Sequence, residues 1–183
     1  MKRTKGRVFF LVQGAVIAAL YIVLTYAQEL LLPGTTSMAV QFRISEFLTL
    51  LAVFTPAAIP GLTVGCALAN LVCFASLPLD IVLGSLATAL ASACMYALRN
   101  VRFKGLPLLS ALMPAVFNGV IIGLEIEIFF IEGGFHILSF LTQAALVALG
   151  ELGVCLVIGL PFVYAVQKTG LCAIFSDYYS HSN

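Results

Sequence analysis

Residues 8–31, VFFLVQGAVIAALYIVLTYAQELL, decide how the rest of the chain is read. Glu29 is the single acidic or basic side chain in this stretch. Wound as an α-helix at ~1.5 Å per residue it is about 36 Å long, enough to cross a hydrocarbon layer of about 30 Å. The basic segment Lys2-Arg3-Thr4-Lys5-Gly6-Arg7 precedes it, a combination also met in secretory signal peptides. Its apolar part is too long for one and lacks a small-x-small cleavage site, so it reads as a retained first helix.

Composition points the same way. Of 183 residues, 62% are hydrophobic and 9% charged. A soluble domain carries roughly 25% charged residues. So apolar a surface has to face lipid. Five further apolar stretches follow at residues 39–55, 59–76, 79–98, 106–130 and 138–167. Pro33-Gly34, Thr55-Pro56, Pro60-Gly61, Pro78, the basic segment 99–105 and Glu132-Gly133-Gly134 punctuate them. The expected fold is all-α: one membrane domain over residues 1–183, a bundle of six transmembrane helices.

Orientation follows from Lys and Arg. Lys2, Arg3, Lys5 and Arg7 precede helix 1, Arg99, Arg102 and Lys104 lie between helices 4 and 5, and Lys168 follows helix 6. With an even number of spans these fall on one side, and the positive-inside rule makes it the cytoplasm. Glu29, Glu125, Glu127 and Glu132 then lie toward the outside, where Glu125 and Glu127 are expected to be solvated, with a cationic ligand in reach of one of them as the alternative. His136 reads as a surface histidine of an outer loop. The five cysteines, Cys66, Cys73, Cys94, Cys155 and Cys172, form no C-x-x-C pair and read as small apolar residues.

Ionisable side chains within spans cost several kcal/mol unless paired or hydrated, so each is a candidate for function. They are Arg43 and Glu46 on helix 2, Asp80 on helix 4 and Glu151 on helix 6, joined by the amides Asn70 and Asn118 on helices 3 and 5. Counted at ~1.5 Å per residue, all six fall in the outer half of the layer. That suggests a polar pocket open to the outside and closed by apolar packing below. Two plainer readings stand beside it. Arg43 and Glu46, three apart on a helix, can pair with each other, and the amides can simply tie helices together. On helix 1, Gly14/Ala18 and Ala15/Ala19 are two small-x-x-x-small pairs that let another helix approach closely, inside the bundle or from a partner protein.

Several chemistries are absent. The chain has no G-x-x-x-x-G-K-[ST] loop, no H-E-x-x-H and no G-x-S-x-G. Its two histidines, His136 and His181, fall in a loop and the tail. ATP hydrolysis by a phosphate-binding loop and serine or zinc proteolysis are therefore excluded. No enzymatic activity, cofactor, metal or nucleic-acid partner is expected.

The segments Gln41–Glu46, Gly61–Asn70, Asp80–Thr88 and Pro114–Gly119, with Gly150-Glu151 and Gly159-Leu160-Pro161, resemble the QueT family of queuosine-precursor transporters in order and spacing. These are substrate-binding S components of energy-coupling factor (ECF) importers. The resemblance covers nearly the whole chain from helix 1 to helix 6. It implies a plasma-membrane subunit that works with a transmembrane coupling subunit and two cytoplasmic ATPases. It also implies that Ala15 and Ala19 form the docking surface, and that the helix 1–2 loop, residues 32–39, covers an external pocket. The implied ligand is a deazaguanine base such as queuine or prequeuosine.

The residues are compatible with that class. A guanine-like edge offers adjacent N–H donors to one carboxylate, and its carbonyl suits Asn or Arg. A protonated arm would want a second carboxylate, and Phe42 could stack on the ring. Phe42, Arg43, Glu46, Asn70, Asp80, Asn118 and Glu151 are the expected ligand-binding set, with Glu151 or Asp80 on the base edge. An S component for another vitamin-like nutrient, and a membrane enzyme using Asp80 and Glu151 as paired carboxylates, are the alternatives.

Overall fold

A computed structural model of the chain describes residues 2–35, 42–72 and 78–171. Among them there are helices and no strand. The first, α1 (Lys2–Leu31), is continuous. It is followed by α2 (Ile44–Val53), α3 (Ala58–Val72), α4 (Pro78–Ala97), α5 (Leu108–Phe129) and α6 (Ile137–Lys168). Helix α5 is broken once, at Leu112, ahead of Pro114. Helix α6 widens into a π-turn over Cys155–Gly159. Between α4 and α5, Phe103 and Leu106 pair across a tight turn. Its central residues Lys104 and Gly105 have φ of 49° and 84°, a left-handed pair that suits glycine at the second position.

Helices α1, α4, α5 and α6 are each long and apolar enough to cross a membrane, whereas α2 and α3 are shorter apolar helices. Leu11, Val16, Leu20 and Val23 on α1 and Leu149 and Val157 on α6 are exposed, as a lipid-facing surface requires. Helices α1, α3, α4, α5 and α6 pack on one another in that order, and α2 touches each of them. Helix α2 is the interior element. All its residues except Ile44 and Phe47 are buried.

That position accounts for its conformation. Helix α2 is wound as a 3-10 helix over its whole ten residues, although such runs seldom exceed three or four. At about 2.0 Å rise per residue it reaches about 20 Å, some 5 Å further than an α-helix of equal length. The expected helix start at residue 39 is therefore corrected. Residues 39–41 lie outside the described residues, and Phe42 and Arg43 are not helical: Arg43 has φ −108° and ψ 96°. The helix 3 residues 73–76, the loop residues 36–39, Cys73, Cys172 and the tail also lie outside them.

Close approach of α1 to α3 comes from glycine on both helices. A methyl group built on Gly61 would stand 2.6 Å from Gly14 O, and one on Gly65 3.0 Å from the Ala18 Cα. Thus Gly14 and Ala18 are the inward small pair, while Ala15 and Ala19 are exposed on the other face of α1. Helices α5 and α6 meet in the same way, Gly123 facing the Ala144 backbone.

Candidate functional site

Helix α1 offers α2 a polar stripe. Tyr21, Thr25 and Gln28, spaced i, i+4 and i+7, share one face and are all buried. Tyr21 Oη donates to Glu46 Oε1 at 2.5 Å, and Thr25 Oγ1 donates to Ser45 Oγ at 2.8 Å. Gln28 Oε1 accepts from Ile44 N at 2.7 Å, while Gln28 Nε2 donates to Phe42 O and to Thr35 Oγ1. One amide thus ties the end of α1 to both stems of the connection that leads to α2. Glu46 is held on one oxygen only. Its Oε2 is buried and has no hydrogen-bond partner.

On the opposite side, glycines leave room for what α2 carries. A methyl group built on Gly84 of α4 would lie 3.0 Å from Asn70 Nδ2 and 3.6 Å from Arg43 Nη1. One on Gly153 of α6 would lie 3.6 Å from Phe42 Cε1. Asn70 Nδ2 donates to Asp80 O at 2.9 Å and lies 3.7 Å from Cys66 Sγ. Asn70 therefore ties α3 to the first turn of α4. Thr88 stands beside Glu46 and Cys66, but its hydroxyl donates to Gly84 O at 3.0 Å. It is not free to donate to the carboxylate.

The third wall is α5 with α6. Glu151 is buried next to Asn118 and within electrostatic reach of Glu46 and Arg43. Asn118 Nδ2 and Glu151 Oε2 both lack a partner of hydrogen-bond geometry. Two turns further along α5, Glu125 is buried, faces Asp80 and feels Arg43, with neither carboxylate oxygen bonded. Arg43 lies within electrostatic reach of Glu46, Glu151 and Glu125, which come from three helices. Five buried polar atoms of Glu46, Asn118, Glu125 and Glu151 thus converge without partners. Each such atom costs ~1–3 kcal/mol if it stays unpaired. The arrangement offers hydrogen-bonding capacity that the described residues leave unused.

Phe42, Arg43, Glu46, Asn118 and Glu151 are brought together, Asp80 stands at the α4 edge, and Asn70 is engaged as a tie between helices. Arg43 and Glu46 do not share a helical face, because Arg43 precedes the helix. The solvated Glu125 and Glu127 of the sequence reading are corrected: both are buried. Glu127 is covered by the turn that follows rather than by the bundle, and its Oε1 accepts from His136 N at 2.8 Å at the start of α6. Tyr21, Thr25, Gln28 and Glu125 were not among the expected site residues. For the first three a signal existed in their i, i+4, i+7 spacing. Among the described residues no group of three or more His, Cys, Asp and Glu could hold a metal ion.

Comparison with known proteins agrees with a transporter. A protein of Lactococcus lactis subsp. cremoris (strain MG1363), "Queuosine precursor transporter QueT", is 33% identical over 87 residues, 46% of this chain and 47% of the relative. The matched stretch is thus about half the length of that relative. No solved structure matches. The family profile described as "QueT transporter" matches residues 11–168. A match of that extent, on a chain of long apolar helices around a polar interior, makes this multi-pass membrane protein a member of the QueT transporter family.

Proposed function

We propose that the chain is the substrate-binding S component of an ECF importer, taking up a queuosine precursor, a deazaguanine base, across the plasma membrane. The observation that carries this reading is the convergence of unpartnered buried atoms on Glu46, Asn118 and Glu151 around Arg43. A deazaguanine edge presents two adjacent N–H donors and a carbonyl. Glu151 accepts the donors, Asn118 and Arg43 serve the carbonyl, and the half-exposed Phe42 ring stacks on the base. Glu46, fixed by Tyr21, orients Arg43. The Lactococcus relative's printed name supports the substrate class.

In this reading residues 1–183 form one membrane domain of six spans with both termini cytoplasmic. The shorter α2 and α3 complete the six. An interior helix such as α2 has no lipid thickness to match, so its length is free to follow the site. The chain is not an enzyme. A coupling subunit and two cytoplasmic ATPases supply energy, and the exposed Ala15 and Ala19 on α1 form the surface that docks them.

Thermal melting of the purified chain with a panel of nucleobases and vitamins tests the assignment. A ligand at a hundredfold its Kd stabilises by roughly 2.7 kcal/mol. A shift with deazaguanines alone is expected, and a shift with another vitamin but no deazaguanine would overturn the substrate. Replacing Ala15 and Ala19 together by Leu should leave that shift intact and stop co-purification with the coupling subunit.

A further inference from the structure

Phe42 and Arg43 are neighbours in sequence whose side chains diverge. A methyl group on Gly153 of α6 would lie 3.6 Å from the Phe42 ring, and one on Gly84 of α4 would lie 3.6 Å from the Arg43 guanidinium. One side chain thus reaches α6 and the next reaches α4, with α5 packed between those helices. Such divergence belongs to extended chain, in which successive side chains alternate between faces. Arg43 is extended, with φ −108° and ψ 96°, although α2 begins at the very next residue. Winding the helix one residue earlier would set the two side chains about 100° apart.

A side chain holds that residue extended. In extended chain the carbonyl before a residue and the N–H after it point to the same side, where one residue of a parallel strand would pair with both. Among the described residues there is no strand to do so. Gln28 of α1 takes that place: its Nε2 donates to Phe42 O, and its Oε1 accepts from Ile44 N at 2.7 Å. A primary amide carries donor and acceptor side by side, which a carboxylate or an apolar side chain does not. Gln28 is buried, where such bonds are stronger than in water. The Arg43 carbonyl in turn accepts from Glu46 N at 3.0 Å as α2 begins. Among the described residues Gln28 bonds to these two backbone groups and to Thr35 Oγ1, so its influence on a ligand runs through Phe42 and Arg43.

We propose that Gln28 is a positioning residue for ligand binding, whose amide brackets Arg43 and so aims the guanidinium toward α4 and the Phe42 ring toward α6. The proposal rests on the ligand roles given to Phe42 and Arg43 above. It adds that their geometry is imposed from α1 through the backbone, whereas Glu46 acts on the guanidinium itself. A ligand then meets both groups preformed, and less of its binding free energy goes into ordering them. The plainer role, fastening the connection between α1 and α2, would run through Thr35 as much as through Arg43.

A double-mutant cycle on the full-length purified chain, read as the affinity for 7-deazaguanine, separates the two roles. Gln28→Met keeps the length of the side chain and removes the amide, and should weaken binding by about tenfold. In an Arg43→Gln background the same change should weaken it by less than about threefold, because the group it positions is gone. Phe42→Ala, at a half-exposed side chain, supplies a second background in which the loss should likewise shrink. Thr35→Val removes the remaining partner of Gln28 Nε2 and leaves the bracket on Arg43, so affinity should stay within about twofold. Should Gln28→Met fold poorly, Gln28→Glu enters the same cycle, since it keeps an acceptor for Ile44 N and loses the donor to Phe42 O. Equal losses in all backgrounds, or a Thr35→Val loss as deep as that of Gln28→Met, would overturn the positioning role and leave the nucleobase reading standing. A wild-type chain that binds no deazaguanine overturns the nucleobase reading, and this inference with it.

Discussion

Helix α2 buries Glu46 near its start and Leu50, Leu51, Ala52 and Val53 at its end, but the two ends meet different surroundings. At the far end Leu50 reaches toward Gly159, and the Phe47 and Phe162 rings meet edge to face with centroids 5.1 Å apart. Met95, Ala111 and Val163 belong to the same cluster. Beyond it, Thr55 Oγ1 donates to Gln13 Oε1 at 3.0 Å and ties α1 to the chain leaving α2. At the near end, Glu46, Asn118, Glu125 and Glu151 are buried as deeply, yet each keeps a polar atom without a partner. Burial alone does not distinguish a core from a site; the distinction lies in whether the buried atoms satisfy one another. The apolar end is satisfied by packing, whereas the polar end leaves buried atoms that pair with nothing among the described residues.

Substitutions that act on packing and those that act on the site should therefore differ in kind. The largest loss of stability is expected from Gly61→Ala. The added methyl would stand 2.6 Å from Gly14 O and 3.0 Å from Gly14 Cα, backbone that cannot swing aside. Forcing α1 from α3 should cost about 3 kcal/mol. It should appear as a lower Tm and a loss of monodisperse protein, and an unaltered Tm would refute the close helix contact. Glu151→Gln should do the opposite. It removes a charge whose Oε2 has no partner, so the ligand-free Tm holds or rises. Ligand affinity should nevertheless fall by about 100-fold, roughly 2.8 kcal/mol. A destabilised variant that still binds would assign Glu151 to the fold instead of the site.

The sequence made the charged half of the site legible and hid the neutral half. Arg43, Glu46, Asp80 and Glu151 stand out because charges are rare in apolar spans. Tyr21, Thr25 and Gln28 are equally interior, but they are unremarkable among apolar neighbours unless their spacing is read as one face. The small-residue pattern of α1 announced a close helix contact, yet two registers were equally available. Only the glycines at Gly61 and Gly65 select Gly14 and Ala18 for the inside. Glu125 and Glu127 were misread because rise per residue gives depth along a helix and says nothing of what covers it. The turn to α6 covers Glu127, and α4 faces Glu125. The start of α2 was misplaced because Ala39, Val40 and Phe42 extend the apolar sequence ahead of Ile44. The 3-10 winding is set by an interior position that no local propensity encodes.

Two smaller effects sharpen the boundary between the two ends of α2. Tyr21→Phe removes the donor to Glu46 Oε1 and leaves both oxygens of a buried carboxylate without a partner. It should cost about 2 kcal/mol of stability, as hydrogen bonds to charged groups do. Affinity should fall by only about tenfold, since Glu46 acts through Arg43. A loss of binding as deep as that of Glu151→Gln would mean that Tyr21 touches the ligand. Gly159→Ala sits at the other end and should be the mildest. Its methyl would stand 2.2 Å from Leu50 Cδ1, on paper a closer clash than that of Gly61. The atom it meets is the tip of a side chain, however, and the neighbouring Leu50 Cγ lies at 3.6 Å, so rotation about χ2 relieves the contact. The expected cost is below about 1 kcal/mol, with the ligand-induced shift unchanged. If Gly159→Ala instead proved as damaging as Gly61→Ala, the apolar end of α2 would have no spare rotamer space. Its packing would then be as tightly specified as the glycine contact between α1 and α3.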